Sequence, residues 1–245
     1  MTLRRLYLYF LPVFLLTGLQ ALPAGNIPVP IDSVNFTRIQ HKKVRKLISQ
    51  QKNFGAKTFD DIQPVCFNLS DSAAYNTFQK SQVINQEINT VWDNLVHQSP
   101  SDEFDGRIVS FGLLYSKKSN NLHYQNEALD GIEVGQIIFF NLRMLSGIKN
   151  IAVAMEVTRM DNVQKVLEYC YVDHGSTRGT QQFILKPLAG CKTEITQITR
   201  YKCKSRLRDR RLYSFFHERI VREFLRSIKN RSESRTNAMV SAEMM

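Results

Sequence analysis

From residue 107 to residue 203 the chain is a succession of short β-rich runs, and one long amphipathic helix follows them. The runs fall at 107–115, 121–126, 135–143, 151–159, 165–173, 180–187 and 193–203. Turn-forming groups separate them, among them Lys118-Ser-Asn-Asn121, Asp130-Gly131, Ser146-Gly147, Asp173-His-Gly175 and Ala189-Gly190. Alternation puts Ile151, Val153, Met155 and Val157 on one face of their strand, and it aligns Leu167, Tyr169 and Tyr171 on another. Strands spaced this closely between turns pair as antiparallel hairpins.

The closing helix is the clearest element. Placed at about 100° steps from Arg208, the residues Tyr213, Phe216, His217, Ile220, Val221, Phe224, Leu225 and Ile228 share one broad side. Arg208, Arg211, Arg219, Arg222, Arg226 and Lys229 share the other. Upstream, residues 74–84 read as a first strand. A helix from Gln86 to His97 follows, with Ile88, Val91, Trp92 and Leu95 at helical spacing. Residues 36–53 read as a short basic amphipathic helix stopped near Gly55, after an extended linker at Ile27-Pro-Val-Pro-Ile31.

The first residues set the compartment. Arg4 and Arg5 precede an apolar stretch from Leu6 to Leu16, and Ala21-Leu22-Pro23-Ala24 offers small residues at a cut before Gly25. A basic start, a short apolar centre and such a site read as a secretory signal over 1–24, removed near Ala24. The stretch is short for a membrane span, which needs about 20 apolar residues. Export, to periplasm or exterior, makes disulfides possible. Cys66, Cys170, Cys191 and Cys203 permit three full pairings, of which a cross-strand Cys170–Cys203 link is one option, and four reduced thiols are another. None lies in a C-x-x-C, so zinc lacks its usual spacing. Asn35-Phe-Thr, Asn68-Leu-Ser and Asn230-Arg-Ser match the N-glycosylation pattern.

A strand, a helix, an antiparallel meander and a long C-terminal helix make up the order of the helix-grip fold. Residues 74–230 resemble the START-like (SRPBCC) superfamily, which includes polyketide cyclase-like and pollen-allergen-like proteins. The resemblance is carried by Ile84-Asn-Gln-Glu-Ile-Asn-Thr-Val-Trp92, Lys165-Val-Leu-Glu-Tyr-Cys-Tyr-Val172, Gly179-Thr-Gln-Gln-Phe-Ile-Leu185, Thr193-Glu-Ile-Thr-Gln-Ile-Thr199 and Leu212-Tyr-Ser-Phe-Phe-His217. It implies an α+β fold in which a curved antiparallel sheet of six to eight strands wraps around the C-terminal helix. The family usually has six strands after the first helix, so run 107–115 is either a second short helix or an additional strand. Residues 25–73 form an N-terminal extension outside this pattern, and 231–245 read as a flexible tail.

The resemblance further implies a mostly apolar cavity between sheet and helix. Phe111, Tyr115, Tyr124, Phe139, Tyr169, Tyr171 and Phe183 are the expected sheet-side lining, facing Tyr213, Phe216, His217, Ile220 and Phe224. The bland counterpart is a filled core of the same residues. The implied partner is a lipid or other small hydrophobic molecule. No cofactor is implied, and no metal-binding, nucleotide-binding or hydrolase motif stands in the sequence. A cyclase-type enzyme remains a further reading. The composition excludes collagen, low-complexity disorder and a polytopic membrane protein, with 43% hydrophobic residues and only 11 Gly and 7 Pro. The net charge of +11 points to an anionic partner, and export turns that from nucleic acid to an anionic membrane surface. Residues 200–235 hold 13 Lys+Arg against 4 Asp+Glu, and the rest beyond residue 24 has 18 of each. The excess therefore sits in the C-terminal element, whose basic face is the expected docking surface.

Overall fold

The computed structural model describes residues 27–100, 106–127, 129, 131–144, 147–205, 209 and 213–243, with residues 235–243 described by backbone alone. The expected signal over 1–24 lies outside these residues, as do Arg208 and Arg211. The strands are β1 (Asn76–Ile84), β2 (Val109–Ser116), β3 (Asn121–His123), β4 (Gln136–Met144), β5 (Lys149–Asp161), β6 (Val166–Tyr171), β7 (Thr177–Leu188) and β8 (Lys192–Cys203). They form one antiparallel sheet in the order β1-β8-β7-β6-β5-β4-β2-β3. The helices are α1 (Lys42–Asn53), α2 (Ile88–Val96) and α3 (Tyr213–Glu243). This is the α+β helix-grip architecture, and run 107–115 belongs to a strand.

Local chemistry explains the meander. Asn120, Lys165, His174 and Cys191 turn four consecutive-strand hairpins with φ of 51° to 59°, the left-handed region. Register shifts at Phe111/Leu113 and Val157/Arg159 interrupt β2 and β5. Such bulges bend a strand and increase its twist. Helix α2 buries Val91, Trp92, Leu95 and Val96, and the Trp92 indole N–H donates to Asn162 Oδ1 at 2.9 Å. Helix α3 buries His217, Val221, Leu225 and Ile228.

Helix α3 also runs well past residue 230, where a flexible tail was expected. No Gly or Pro interrupts residues 213–243. Ser232 is fully buried and accepts from Asn94 Nδ2 at 3.2 Å, and the Glu233 carboxylate accepts from the backbone N–H of Asn85 at 3.0 Å. The third glycosylation pattern, Asn230-Arg-Ser, thus lies inside a packed helix.

Two apolar clusters occupy the two faces of the sheet. The inner one joins α2 and α3 to Leu114, Ile138, Phe140, Met155, Leu167, Phe183 and Ile195. The outer one joins the N-terminal extension to Leu113, Tyr115, Ile137, Phe139, Ala154 and Val172. The extension contributes Ile31, Val34, Ile39, Val44, Leu47, Ile48, Phe59 and Ile62, all buried. Burial of each such side chain is worth about 1.5–3 kcal/mol. Gly112 shows how closely α1 sits on the sheet. A Cβ there would meet the Val44 methyls and the Phe139 carbonyl oxygen at 2.9 Å.

Beyond α1 the extension runs against β6 and β7. Val65 N–H donates to the Tyr171 carbonyl at 2.7 Å, and Phe67 N–H donates to Thr180 Oγ1 at 2.8 Å. Between them a Cys66–Cys170 disulfide closes a loop across 104 residues. The pairing differs from the cross-strand option. Cys170 is buried on the outer face, where Cys66 reaches it, while Cys203 lies opposite Thr177 in β7. A closed loop of this length restricts the unfolded chain strongly. Cys66→Ser is expected to lower stability by about 2–4 kcal/mol. Urea unfolding checks this, and an unchanged midpoint would mean that the extension holds without its tether.

Candidate functional site

Between the inner sheet face and α3 lies a cavity of about 440 Å³. Its sheet wall is built by period-2 alternation: Phe140, Leu142 and Met144 from β4, Ile151, Val153 and Met155 from β5, Tyr169 and Tyr171 from β6, and Gln181 and Phe183 from β7. The helix wall is Tyr213, Phe216, His217, Ile220, Val221 and Phe224, at the spacing of one broad helix side. Aromatic contacts bound the space. Phe183 and Phe224 meet at 4.9 Å between centroids, and Tyr201 stacks on Tyr213 at 3.7 Å.

Eight of the residues expected from the sequence therefore come together: Tyr169, Tyr171, Phe183, Tyr213, Phe216, His217, Ile220 and Phe224. Four do not. Tyr115, Tyr124 and Phe139 lie on the outer face, packed under the N-terminal extension. The Tyr115 hydroxyl donates to Asp60 Oδ1 at 2.7 Å, and Tyr124 Oη accepts from Asn35 N–H at 2.9 Å under the Arg38 guanidinium. Phe111 is on the inner face but packs in the solid part of the core, away from the cavity lining. The physical reason is parity. β4 has aromatic or aliphatic side chains on both faces, so Phe140 and not Phe139 turns inward, and the Phe111/Leu113 bulge shifts the alternation of β2.

A buried polar chain runs beside the cavity. Gln181 Nε2 donates to Tyr171 Oη at 2.7 Å, and Tyr171 Oη pairs with Tyr213 Oη. Gln197 Nε2 donates to Gln181 Oε1 at 3.4 Å and to Thr199 Oγ1. Thr199 Oγ1 in turn meets His217 Nε2 at 2.7 Å. Sequence reasoning missed Gln181, Gln197 and Thr199. The signal was present in Thr193-Glu-Ile-Thr-Gln-Ile-Thr199, where the parity of the buried Ile195 also carries Gln197 and Thr199.

Electrostatically the lining is almost featureless. Burial holds the His217 imidazole down to a pKa of about 3, so the ring is neutral at ordinary pH. Burial first, and the neighbouring Tyr171 second, push the Tyr213 hydroxyl well above its usual value. Among the described residues, Lys149, exposed at the rim, is the one lining residue of Asp, Glu, Lys or Arg type. No cluster of potential metal ligands stands among the described residues. The arrangement can enclose an uncharged apolar body and offer it hydrogen bonds along one side.

The basic helix face is partly occupied by its own partners. Arg222 pairs with Glu218 at 2.6 Å, Lys229 pairs with Glu233, and the Arg219 guanidinium stacks on Phe215 at 4.3 Å. Arg226 is exposed. Asp173 and His174 stand together at the exposed β6–β7 turn, where His174 stacks on Phe54.

No family model and no curated protein matches the sequence. Among solved structures, similar chains include the KanY protein, with TM-score 0.48 and 12% identity, over 65% of this chain and 98% of that one. Norcoclaurine synthase from Thalictrum flavum gives TM-score 0.49 and 10% identity over 66% and 96%. An aromatase/cyclase from Streptomyces sp. R1128 gives 0.47 and 11% over the same shares. The likeness is one of architecture, spanning about two thirds of this chain and nearly all of each neighbour. Fold and cavity together define an α+β helix-grip protein with a ligand-sized interior space.

The neutral His217 carries a pH prediction. In the unfolded chain it takes up a proton near pH 6.5, but in the folded protein only near pH 3. Between those values the unfolded state binds more protons, so stability falls as pH falls and is complete above about pH 6.5. Urea unfolding of the wild type should lose up to about tenfold in the folding constant per pH unit relative to His217→Gln over that window. Parallel pH curves for the two proteins would contradict the assignment.

Proposed function

We propose that the protein binds a lipid or other small hydrophobic molecule in the cavity between the sheet and α3. The observation that carries this reading is a space of about 440 Å³ walled mostly by aliphatic and aromatic side chains, with Lys149 the single charged lining residue among those described. Ligand pockets of about 300–1,000 Å³ with such walls bury most of a small apolar molecule. A fully packed interior would leave no such volume, since protein cores have few voids larger than a water. We further propose that the protein works outside the reducing interior of the cell, after loss of residues 1–24. The basic and apolar pattern of those residues supports this, and so does the Cys66–Cys170 disulfide.

A second reading rests on the rim. Ile148 is 88% exposed beside Lys149, and Phe215 is 52% exposed beside Phe216, while Lys149 and Phe216 both line the cavity. Exposed apolar tips next to Lys149 and Arg219 suit an anionic bilayer surface, from which an apolar ligand would enter.

Filling the cavity tests the first reading. Val153→Trp is expected to fold normally and to weaken N-phenyl-1-naphthylamine binding by about tenfold or more, read by fluorescence titration. Unchanged binding would place the probe elsewhere. For the second, flotation with mixed phosphatidylcholine–phosphatidylserine vesicles should be lost in Ile148→Glu/Phe215→Glu and reduced by high salt. Flotation that survives both would rule the rim out.

A further inference from the structure

The buried polar chain has a direction, and that direction decides what the cavity offers to its occupant. Gln181 donates its amide N–H to Tyr171 Oη, which turns Gln181 Oε1 toward β8. Gln197 Nε2 donates both to that oxygen and to Thr199 Oγ1. Gln197 and Thr199 are fully buried, so partners for their polar atoms come from inside the protein. Thr199 Oγ1 accepts from Gln197, and its own proton then needs an acceptor. The neighbour in reach is His217 Nε2, at 2.7 Å. A neutral imidazole that accepts at Nε2 carries its proton on Nδ1. His217 is 4% exposed and lines the cavity, and Nδ1 has no hydrogen-bond partner among the described residues.

The reverse chain, with both amides turned over, would make Nδ1 an acceptor. It would also leave the Gln197 NH₂ group, two protons, buried without acceptors. The observed orientation instead leaves Gln197 Oε1 as the orphan. An under-satisfied carbonyl is the more tolerable of the two.

We propose that the cavity selects uncharged apolar molecules bearing a hydrogen-bond acceptor, a ketone, ester or ether-type oxygen, which receives the His217 Nδ1 proton. The inference rests on the cavity-binding reading above and adds the chemistry of the ligand's polar atom. It also names the determinants: His217 makes the contact, and Thr199, held by Gln197, is the positioning residue that sets the tautomer.

Two measurements test it. Long-range ¹H–¹⁵N correlation spectra of histidine-labelled protein should show His217 as the Nδ1–H tautomer, and an Nε2–H tautomer or an imidazolium at neutral pH would overturn the proposal. The second uses a matched pair of fluorescent probes, 6-propionyl-2-(dimethylamino)naphthalene and its 6-propyl analogue, which lacks the carbonyl. The ketone should bind about tenfold more tightly than the propyl analogue, the value of one neutral hydrogen bond. His217→Phe should abolish that preference while still binding the propyl probe. Thr199→Val, which removes the group that fixes the tautomer, should lower the preference without touching the ligand site. Equal binding of the two probes by the wild type would overturn the acceptor rule. Failure of both to bind would instead overturn the cavity reading and this inference with it.

Discussion

The sheet is apolar on both faces at its centre, and everything else follows from that. In β4, Ile137 and Phe139 point one way while Ile138 and Phe140 point the other, and all four are buried. Neither face can meet water without a large penalty. The chain solves the two faces differently. The N-terminal extension lays α1 and a string of aliphatic residues directly onto the outer face, close enough that only Gly fits at position 112. On the inner face, α3 packs along α2 and β1 and spans the rest of the sheet at a distance. One face is sealed, and the other is roofed over a space.

That asymmetry explains where polar groups sit inside the protein. On the sealed side, Tyr115 and Tyr124 send their hydroxyls outward to Asp60 and to the backbone of Asn35. On the roofed side, Tyr171, Gln181, Gln197, Thr199 and His217 bond to one another along the cavity wall, in a low-dielectric setting where each unmade bond is costly. A chain of amides and hydroxyls with one tautomer-determining step gives a neutral site a definite donor without any charge. The burial that holds His217 neutral keeps it in that role across ordinary pH.

Much of this was legible in the sequence. The seven runs after α2 became β2 to β8, because turn chemistry at Asn120, Lys165, His174 and Cys191 acts locally. The broad side of α3 was readable from its 3.6-residue period, and Tyr213, Phe216, His217, Ile220 and Phe224 all reach the cavity. What was not legible was which face an aromatic residue takes when both parities are apolar. Phe139 and Phe140 are adjacent and equally hydrophobic, and only the partner across each face tells them apart. The extension held that information, since Val44, Leu47 and Ile48 needed a surface to cover. The disulfide was open for the same reason: Cys66 belongs to a segment whose docking no local pattern announces. The charge excess of residues 200–235 proved less uniform than its count, because Glu218 and Glu233 engage Arg222 and Lys229 on α3 itself.

The central claim is that an apolar molecule sits between the inner sheet face and α3. Intermolecular NOEs from bound 6-propionyl-2-(dimethylamino)naphthalene to methyl-labelled protein test it most directly. Contacts to Ile151, Val153 and Ile220 are the predicted result, with none to Val44 or Ile48 beneath the extension. NOEs confined to the outer-face methyls, or to none at all, would contradict the account.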